Sequence, residues 1–178
     1  DAVPVHLVLA EAIDRTRAAA EMQGVTLHVD EPAPTVTVVG DRRQLVSALV
    51  NLCDNAVKYS DRGGAVSLCA RTDGTWVEID VTDGGIGIPG TDLERVFERF
   101  YRVDRARSRD TGGTGLGLAI VRHVVQNHEG SVTVRSRDDR FSFTLRGRVQ
   151  LRAVAASPGA EEQPVDLAFQ VRRARLVF

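Results

Sequence analysis

The chain has 178 residues, 43% hydrophobic and 26% charged, with a formal net charge of -1. That balance suits a single soluble globular domain, and the near-cancellation of charge leaves no overall field to recruit nucleic acid or an anionic membrane surface. No stretch approaches the roughly 18 consecutive apolar residues of a membrane span, and the first residues lack the pattern of a signal peptide. Cys53 and Cys69 lie in apolar runs rather than at short paired spacing, which points to reduced core thiols and away from a zinc site.

Between His6 and Met22, Leu9, Ala12, Ile13, Thr16 and Ala20 recur at spacings of three and four, which predicts a helix ending near Gly24. Val25–Val29 and Val36–Val39 read as strands on either side of a break at 31–34. Asp41 stands where a helix cap is wanted, before a helix predicted over Arg42–Tyr59. One face of that helix is apolar, formed by Leu45, Leu49, Leu52 and Ala56 and widened by Val46, Val50, Cys53 and Val57, so it should lie on a sheet. Asn51, Asn55 and Lys58 share one edge beside it. A single asparagine on a helix is ordinarily a solvated residue, but two at i, i+4 are a poor choice for helix propensity and point to chemistry. An amide oxygen can ligate Mg²⁺ and a lysine can meet phosphate, so the trio suits a metal-bound nucleotide polyphosphate.

Ala65–Arg71 and Thr75–Val81 alternate as a hairpin about Asp73-Gly74, and the second strand runs straight into Asp83. The Asp83-Gly84-Gly85-Ile86-Gly87-Ile88-Pro89 turn reads either as a plain surface turn or as bare backbone for a planar ligand, with Asp83 accepting from an exocyclic amine. A short amphipathic helix with aromatic anchors Phe97, Phe100 and Tyr101 is predicted over Leu93–Phe100, followed at Arg102–Thr111 by a charged, aperiodic stretch with the character of a lid. Gly112–Ile120, GGTGLGLAI, passes directly into a helix. Alone it reads equally as a flexible loop or as an anion site at a helix N-terminus. It is not a P-loop, since no Lys-Ser/Thr follows the last glycine, and Rossmann spacing would need a glycine at Leu118.

The helix is predicted to run to Glu129 with Gly130 as its stop, burying Leu116, Ala119, Ile120, His123 and Val124. His123 there reads as a core residue rather than a catalytic one, and His6, His28 and His128 carry no signal of their own. Ser131–Ser136 and Arg140–Leu145 complete the pattern as closing strands about Asp138-Asp139. Ala153–Pro164 has linker composition, and Val165, Leu167, Phe169 and Val171 alternate as one isolated strand.

Four blocks now stand in order: NLCDNAVKYS at 51–60, DGGIGIP at 83–89, VFERFYRVD at 96–104 and GGTGLGLAIV at 112–121. Together they resemble the N, G1, F and G2 boxes of the catalytic ATP-binding domain of bacterial sensor histidine kinases. The resemblance implies an α/β fold, a two-layer sandwich of the gyrase-like ATPase (Bergerat) type in which helices cover one face of a mixed sheet. It assigns residues 1–146 to that domain and leaves 147–178 as an extension without a role. It implies ATP and Mg²⁺, with Asn55 holding the metal, Asn51 and Lys58 at the phosphates, and Arg102 reaching the γ-phosphate. Tyr59, Gly85, Gly87 and Ile88 would line the base pocket, Asp83 would read the adenine amine, and the backbone of Gly113, Thr114, Gly115, Leu116 and Gly117 would close over the triphosphate. Asn51, Lys58 and Arg102 are thereby the expected catalytic residues.

The partners implied are a phosphoacceptor (dimerisation) domain of the parent kinase and a response regulator, with no nucleic acid and no membrane contact by these residues. The expected setting is cytoplasmic, on a parent anchored in the cell membrane. No phosphoacceptor helix is recognisable, so the accepting histidine is expected elsewhere. Two other readings share the superfamily, an ATP-driven conformational clamp and a nucleotide-sensing module. The clamps carry a water-activating glutamate where this chain has Asn51, and an amide cannot be that base. Intact Asn55, Lys58 and Asp83 argue against a degenerate sensor, and serine-kinase anti-sigma factors lack a full F box like VFERFYRVD.

Overall fold

The structure, a computed structural model, describes residues 1–30, 32, 35–73, 75–103, 113–137 and 140–151. In chain order these form β1 (Ala2–Pro4), α1 (Val5–Gln23), β2 (Thr26–Asp30), β3 (Val36–Val39), α2 (Arg42–Tyr59), β4 (Ala65–Thr72), β5 (Trp76–Asp83), α3 (Gly117–Asn127), β6 (Ser131–Arg137) and β7 (Arg140–Leu151). The strands make one sheet in the order β1-β3-β7-β5-β4-β2, with β6 also on β7. β2 and β4 are parallel and every other pairing is antiparallel, so the sheet is mixed. β7 gives one edge to β5. Its other edge is shared, Arg140–Arg146 taking β6 and Val149–Leu151 taking β3.

The period-two pattern decides which face is covered. Val66 and Leu68 of β4, Val77 and Val81 of β5 and Leu145 of β7 join the core with Leu9, Leu49, Leu52 and Val121 from the three helices. Complete burial of a leucine stabilises by about 1.5–3 kcal/mol, and truncating one such as Leu52, fully buried, costs about 2–5 kcal/mol. Ser67, Arg71, Glu78, Asp80 and Thr144 point to the opposite, polar face, where Asp80 takes an ion pair from Arg71 and a hydrogen bond from the Thr144 hydroxyl.

Two local signals act as the sequence predicts. Gly24 ends α1 in the left-handed conformation at φ 71°, its N–H bonding Ala20 O and Glu21 O. Asp41 caps α2, accepting from the N–H groups of Arg43 at 2.8 Å and Gln44 at 3.3 Å, and those bonds hold its carboxyl below the usual carboxylate range. Among the described residues no helix is long and apolar enough to cross a membrane.

Elsewhere the structure corrects the pattern. β1 is too short to show alternation and runs directly into α1 at Pro4, whose fixed φ suits a helix entrance. The helix expected over Leu93–Phe100 is replaced by two 3₁₀ turns, Gly90–Asp92 and Arg95–Phe97; Phe97 packs on the core, whereas Phe100 is 70% exposed and anchors nothing. α3 buries Val121, Val124 and Val125 and leaves Ile120 and His123 exposed, a rotation of its buried face away from the expected stripe. It ends at Asn127, and Glu129 at φ 55°, not Gly130, supplies the left-handed turn.

β7 continues past Leu145, where the pattern stops, to Leu151, so the sheet extends beyond the expected boundary at 146. Cys53 is a core thiol, but Cys69 lies half-buried on the polar face with its Sγ 3.5 Å from Asp30 Oδ2. Most of the expected lid, the Asp138-Asp139 turn, and the linker and isolated strand after Leu151 lie outside the described residues.

Candidate functional site

The polar edge of α2 is assembled as its spacing predicts, and α3 is docked against it. Asn51 Nδ2 donates to Ser47 O at 2.8 Å, one turn back, which fixes the amide with Oδ1 facing the first residue of α3. A Cβ on Gly117 would lie 3.0 Å from that oxygen and 3.7 Å from Asn55 Nδ2, so only a residue without a side chain lets the helix end come this close. The N-terminus of α3, which has no side-chain cap, thereby brings its unsatisfied N–H groups and the positive end of its dipole to two amides.

Lys58 stands farther along the same edge. A Cβ on Gly113 would lie 2.9 Å from Lys58 Nζ and 3.9 Å from an Arg102 guanidinium nitrogen, so both cations converge on one stretch of bare backbone. Burial first, and then the charge of Arg102, push the Lys58 ammonium below its ordinary pKa. The ammonium also sits 5.3 Å from the centre of the Tyr59 ring.

At the C-terminal end of α2, β5 delivers Asp83. The carboxylate is buried, 4% exposed, and burial pushes its pKa up against the opposing bond from Gly85 N–H to Oδ1 at 2.8 Å. The turn after it lies flat on the helix end. Ile86 N–H reaches Tyr59 O at 3.4 Å, and a Cβ on Gly85 would stand 2.3 Å from that carbonyl oxygen and 2.8 Å from Asp83 Oδ1. Gly87 turns the chain back at φ 69°, Ile88 packs against the core, and the rings and chains of Tyr59 and Ile86 remain exposed around the entrance.

Three contacts that the sequence did not signal hold the segment before the glycine loop. The Tyr101 hydroxyl donates to Asp92 Oδ1 at 2.5 Å, and the Arg95 guanidinium lies 4.2 Å from the centre of its ring. Phe100, at φ 66°, donates its N–H to Gly115 O at 2.8 Å, while a Cβ on Gly115, at φ 71°, would stand 2.9 Å from the Phe100 backbone, so the approach has no room for a side chain. Both ends of the intervening stretch are thus fixed to each other. Aperiodic residues at these spacings carry no pattern that could announce any of these contacts.

Of the predicted residues, Asn51, Asn55, Lys58, Arg102, Gly113 and Gly117 are brought to one place, and Tyr59, Asp83 and Gly85 meet at the adjoining end of α2. Gly87 and Ile88 continue that turn, and Thr114, Gly115 and Leu116 complete the loop. His123 is not among them; its Nε2 lies 3.2 Å from Asn127 Nδ2 on the outside of α3. His128, which carried no signal, bonds both α3 and the cap of α2.

Residues 40–150 match the family described as histidine kinase-, DNA gyrase B-, and HSP90-like ATPase. The chain is 51% identical over 144 residues to the sensor-like histidine kinase SenX3 of Mycobacterium tuberculosis, covering 80% of this chain and 35% of that protein. It is 44% identical over 110 residues to the sensor histidine kinase WalK of Bacillus subtilis, covering 59% of this chain and 18% of WalK. The chain therefore spans about a third or less of these relatives. Among solved structures, the mycobacterial sensor histidine kinase MprB superposes with a TM-score of 0.74 at 31% identity, over 85% of this chain and 100% of that one. Full-length ShkA, in complex with AMPPNP, superposes with a TM-score of 0.73 at 28% identity, over 86% of this chain and 32% of that one. The four ordered blocks, the mixed sheet under three helices and the match from Gly40 onward lead to one conclusion: the chain belongs to the histidine kinase-, DNA gyrase B- and HSP90-like ATPase family.

Proposed function

We propose that the chain binds ATP with Mg²⁺ and delivers the γ-phosphoryl to a histidine of a separate phosphoacceptor domain, from which it passes to a response regulator. The observation that carries this reading is the polarity of one edge of α2. One end gathers two amides, two cations and a helix N-terminus, which suits a metal-bound polyphosphate, while the other end presents a buried carboxylate beside bare glycine backbone, which suits a flat base with an amine. Asn55, with Asn51 beside it, offers the oxygen donor chemistry that Mg²⁺ prefers; the ion would neutralise phosphate charge. Lys58 and Arg102 would hold the phosphates, and Asp83 would accept from the adenine amine.

Phosphoryl transfer relies on positioning and charge neutralisation, so the chain needs no nucleophile of its own. The incoming imidazole nitrogen forms the bond to phosphorus, the bond to the bridging oxygen breaks with its electrons leaving on ADP, and the imidazole releases its proton. Asn51 favours this over the clamp reading, because its amide, engaged with Ser47 O, can take no proton from water. The parent kinase would hold this domain in the cytoplasm beside a membrane anchor, with the residues after the sheet as an extension. The test mixes the chain with γ-labelled ATP and a separately made phosphoacceptor domain. Acid-labile phosphate on that domain is expected; label that never leaves ATP, with nucleotide bound, would reject the transfer.

A further inference from the structure

We propose that His128 is a positioning residue that fixes α3 against α2, the two helices of the nucleotide site, and does so only in its neutral form. The inference rests on the nucleotide reading above. α3 packs along α2 through Val121, Val124 and Val125, and polar contacts mark the two ends of that seam: Gly117 against Asn51 and Asn55, and, at the far end, His128 against Asp41. His128 Nδ1 lies 2.7 Å from Val124 O. A carbonyl only accepts, so Nδ1 carries the proton, and Nε2 is left with the lone pair that takes the Asp41 N–H at 2.9 Å. One ring thus spans the last turn of α3 and the N-cap of α2, without an intervening side chain.

The chain makes room for this ring. A Cβ on Gly40 would lie 2.2 Å from His128 Cδ2 and 2.6 Å from Nε2, so any other residue at 40 displaces the imidazole. Gly40 is itself held by Asp1, whose carbonyl accepts its N–H at 2.9 Å. A proton taken up at Nε2 would point at the Asp41 N–H, donor against donor, and the tie would break. The ring borders a groove lined by Asp41, Gln44, Asn127 and Glu129, and on its inner side a cavity of about 50 Å³ whose wall includes Arg146 of β7. The charged groups that border the ring are the carboxylates of Asp41 and Glu129 and, across the cavity, the Arg146 guanidinium. Opening releases the last turn of α3 from the N-cap of α2, and the helix that carries Gly117 to the α2 amides is then held by the packing of Val121, Val124 and Val125.

The test uses the whole chain, the nonhydrolysable analogue AMPPNP with Mg²⁺, and the variants His128→Gln and His128→Leu at about pH 7.5 and about pH 5.5, the span in which imidazoles take up a proton. Glutamine offers a donor and an acceptor that do not titrate. At the higher pH the glutamine variant should bind within about twofold of the unmodified chain and the leucine variant about tenfold more weakly, the equivalent of one lost hydrogen bond. On acidification the unmodified chain should lose about fivefold more affinity than His128→Gln, which shares every other titration, the nucleotide's included. Imidazole ¹⁵N shifts should show the proton on Nδ1 at the higher pH, with a downfield Asp41 amide that moves upfield in acid. Parallel loss of affinity in the unmodified and glutamine chains, or unweakened binding by a folded leucine variant, overturns the inference. An unmodified chain that binds no AMPPNP at the higher pH instead overturns the nucleotide reading, and the shifts then decide the tie by themselves.

Discussion

Gly85→Ala isolates the contact between the turn after Asp83 and the end of α2. The added Cβ would sit 2.3 Å from Tyr59 O and 2.8 Å from Asp83 Oδ1, where ordinary contact begins at 3.4 Å. The first obstacle is backbone at a helix end, so no rotamer change relieves it; the turn must lift by about 1 Å and carry Asp83 with it. Overpacking of this kind costs about 1–3 kcal/mol, which, if borne by the bound geometry, weakens nucleotide about 5- to 150-fold. Gly84 is a built-in control, because a Cβ there meets nothing within 4 Å. Titration of a fluorescent ATP analogue against Gly84→Ala and Gly85→Ala, each checked for folding by thermal melting, should separate them by at least the lower figure. Equal dissociation constants would refute the idea that Gly85 exists to let the turn lie on the helix.

Burial raises the Asp83 carboxyl, so the folded chain holds that proton more tightly than the unfolded one, and stability is lost as pH rises from the ordinary carboxylate range through the folded pKa. Asp83→Asn removes that loss: at neutral pH the nucleotide-free variant should melt higher than the unmodified chain while losing any preference for ATP over GTP, and the gain should disappear in acid; a lower melting temperature at neutral pH would contradict it. Cys53, whose thiol burial pushes up to about 12, should resist iodoacetamide until the chain unfolds, whereas half-buried Cys69, which burial and the neighbouring Asp30 carboxylate also raise, should label slowly in the native state and faster as pH rises. Mass spectrometry after partial labelling decides this, and equal modification of the two would count against it. With Asn51 in place of a base, steady-state phosphate release by the chain should stay below about 1 s⁻¹ even with ATP bound; faster turnover would mean that another group activates water.

Where one physical effect dominated, the sequence was readable. The wide apolar face of α2 could only lie on a sheet, and that requirement forced Asn51, Asn55 and Lys58 to its edge. Asp83 at the end of an alternating strand was legible for the same reason. The segment after Pro89 was not, because its shape comes from single contacts such as Tyr101 to Asp92 and from 3₁₀ turns too short to show a period. The buried face of α3 is ambiguous in the sequence because Ile120 is as suitable for burial as Val121, and only the packed structure distinguishes them. His128 leaves no mark in the sequence, since its partners are a carbonyl and a backbone N–H, groups that almost every residue has.

The division of one edge of β7 between β6 and β3 has a consequence for the order in which the molecule assembles. β3 precedes its partner Val149–Leu151 by more than a hundred positions, so β1 and β3 cannot join the sheet until that distant segment has been made. β4 and β5 face no such delay, being neighbours joined by a short turn. Synthesis should therefore pass through a stage in which the β4–β5 hairpin exists while the N-terminal strands wait with open edges, and a chain stopped at Leu145 would remain at that stage permanently.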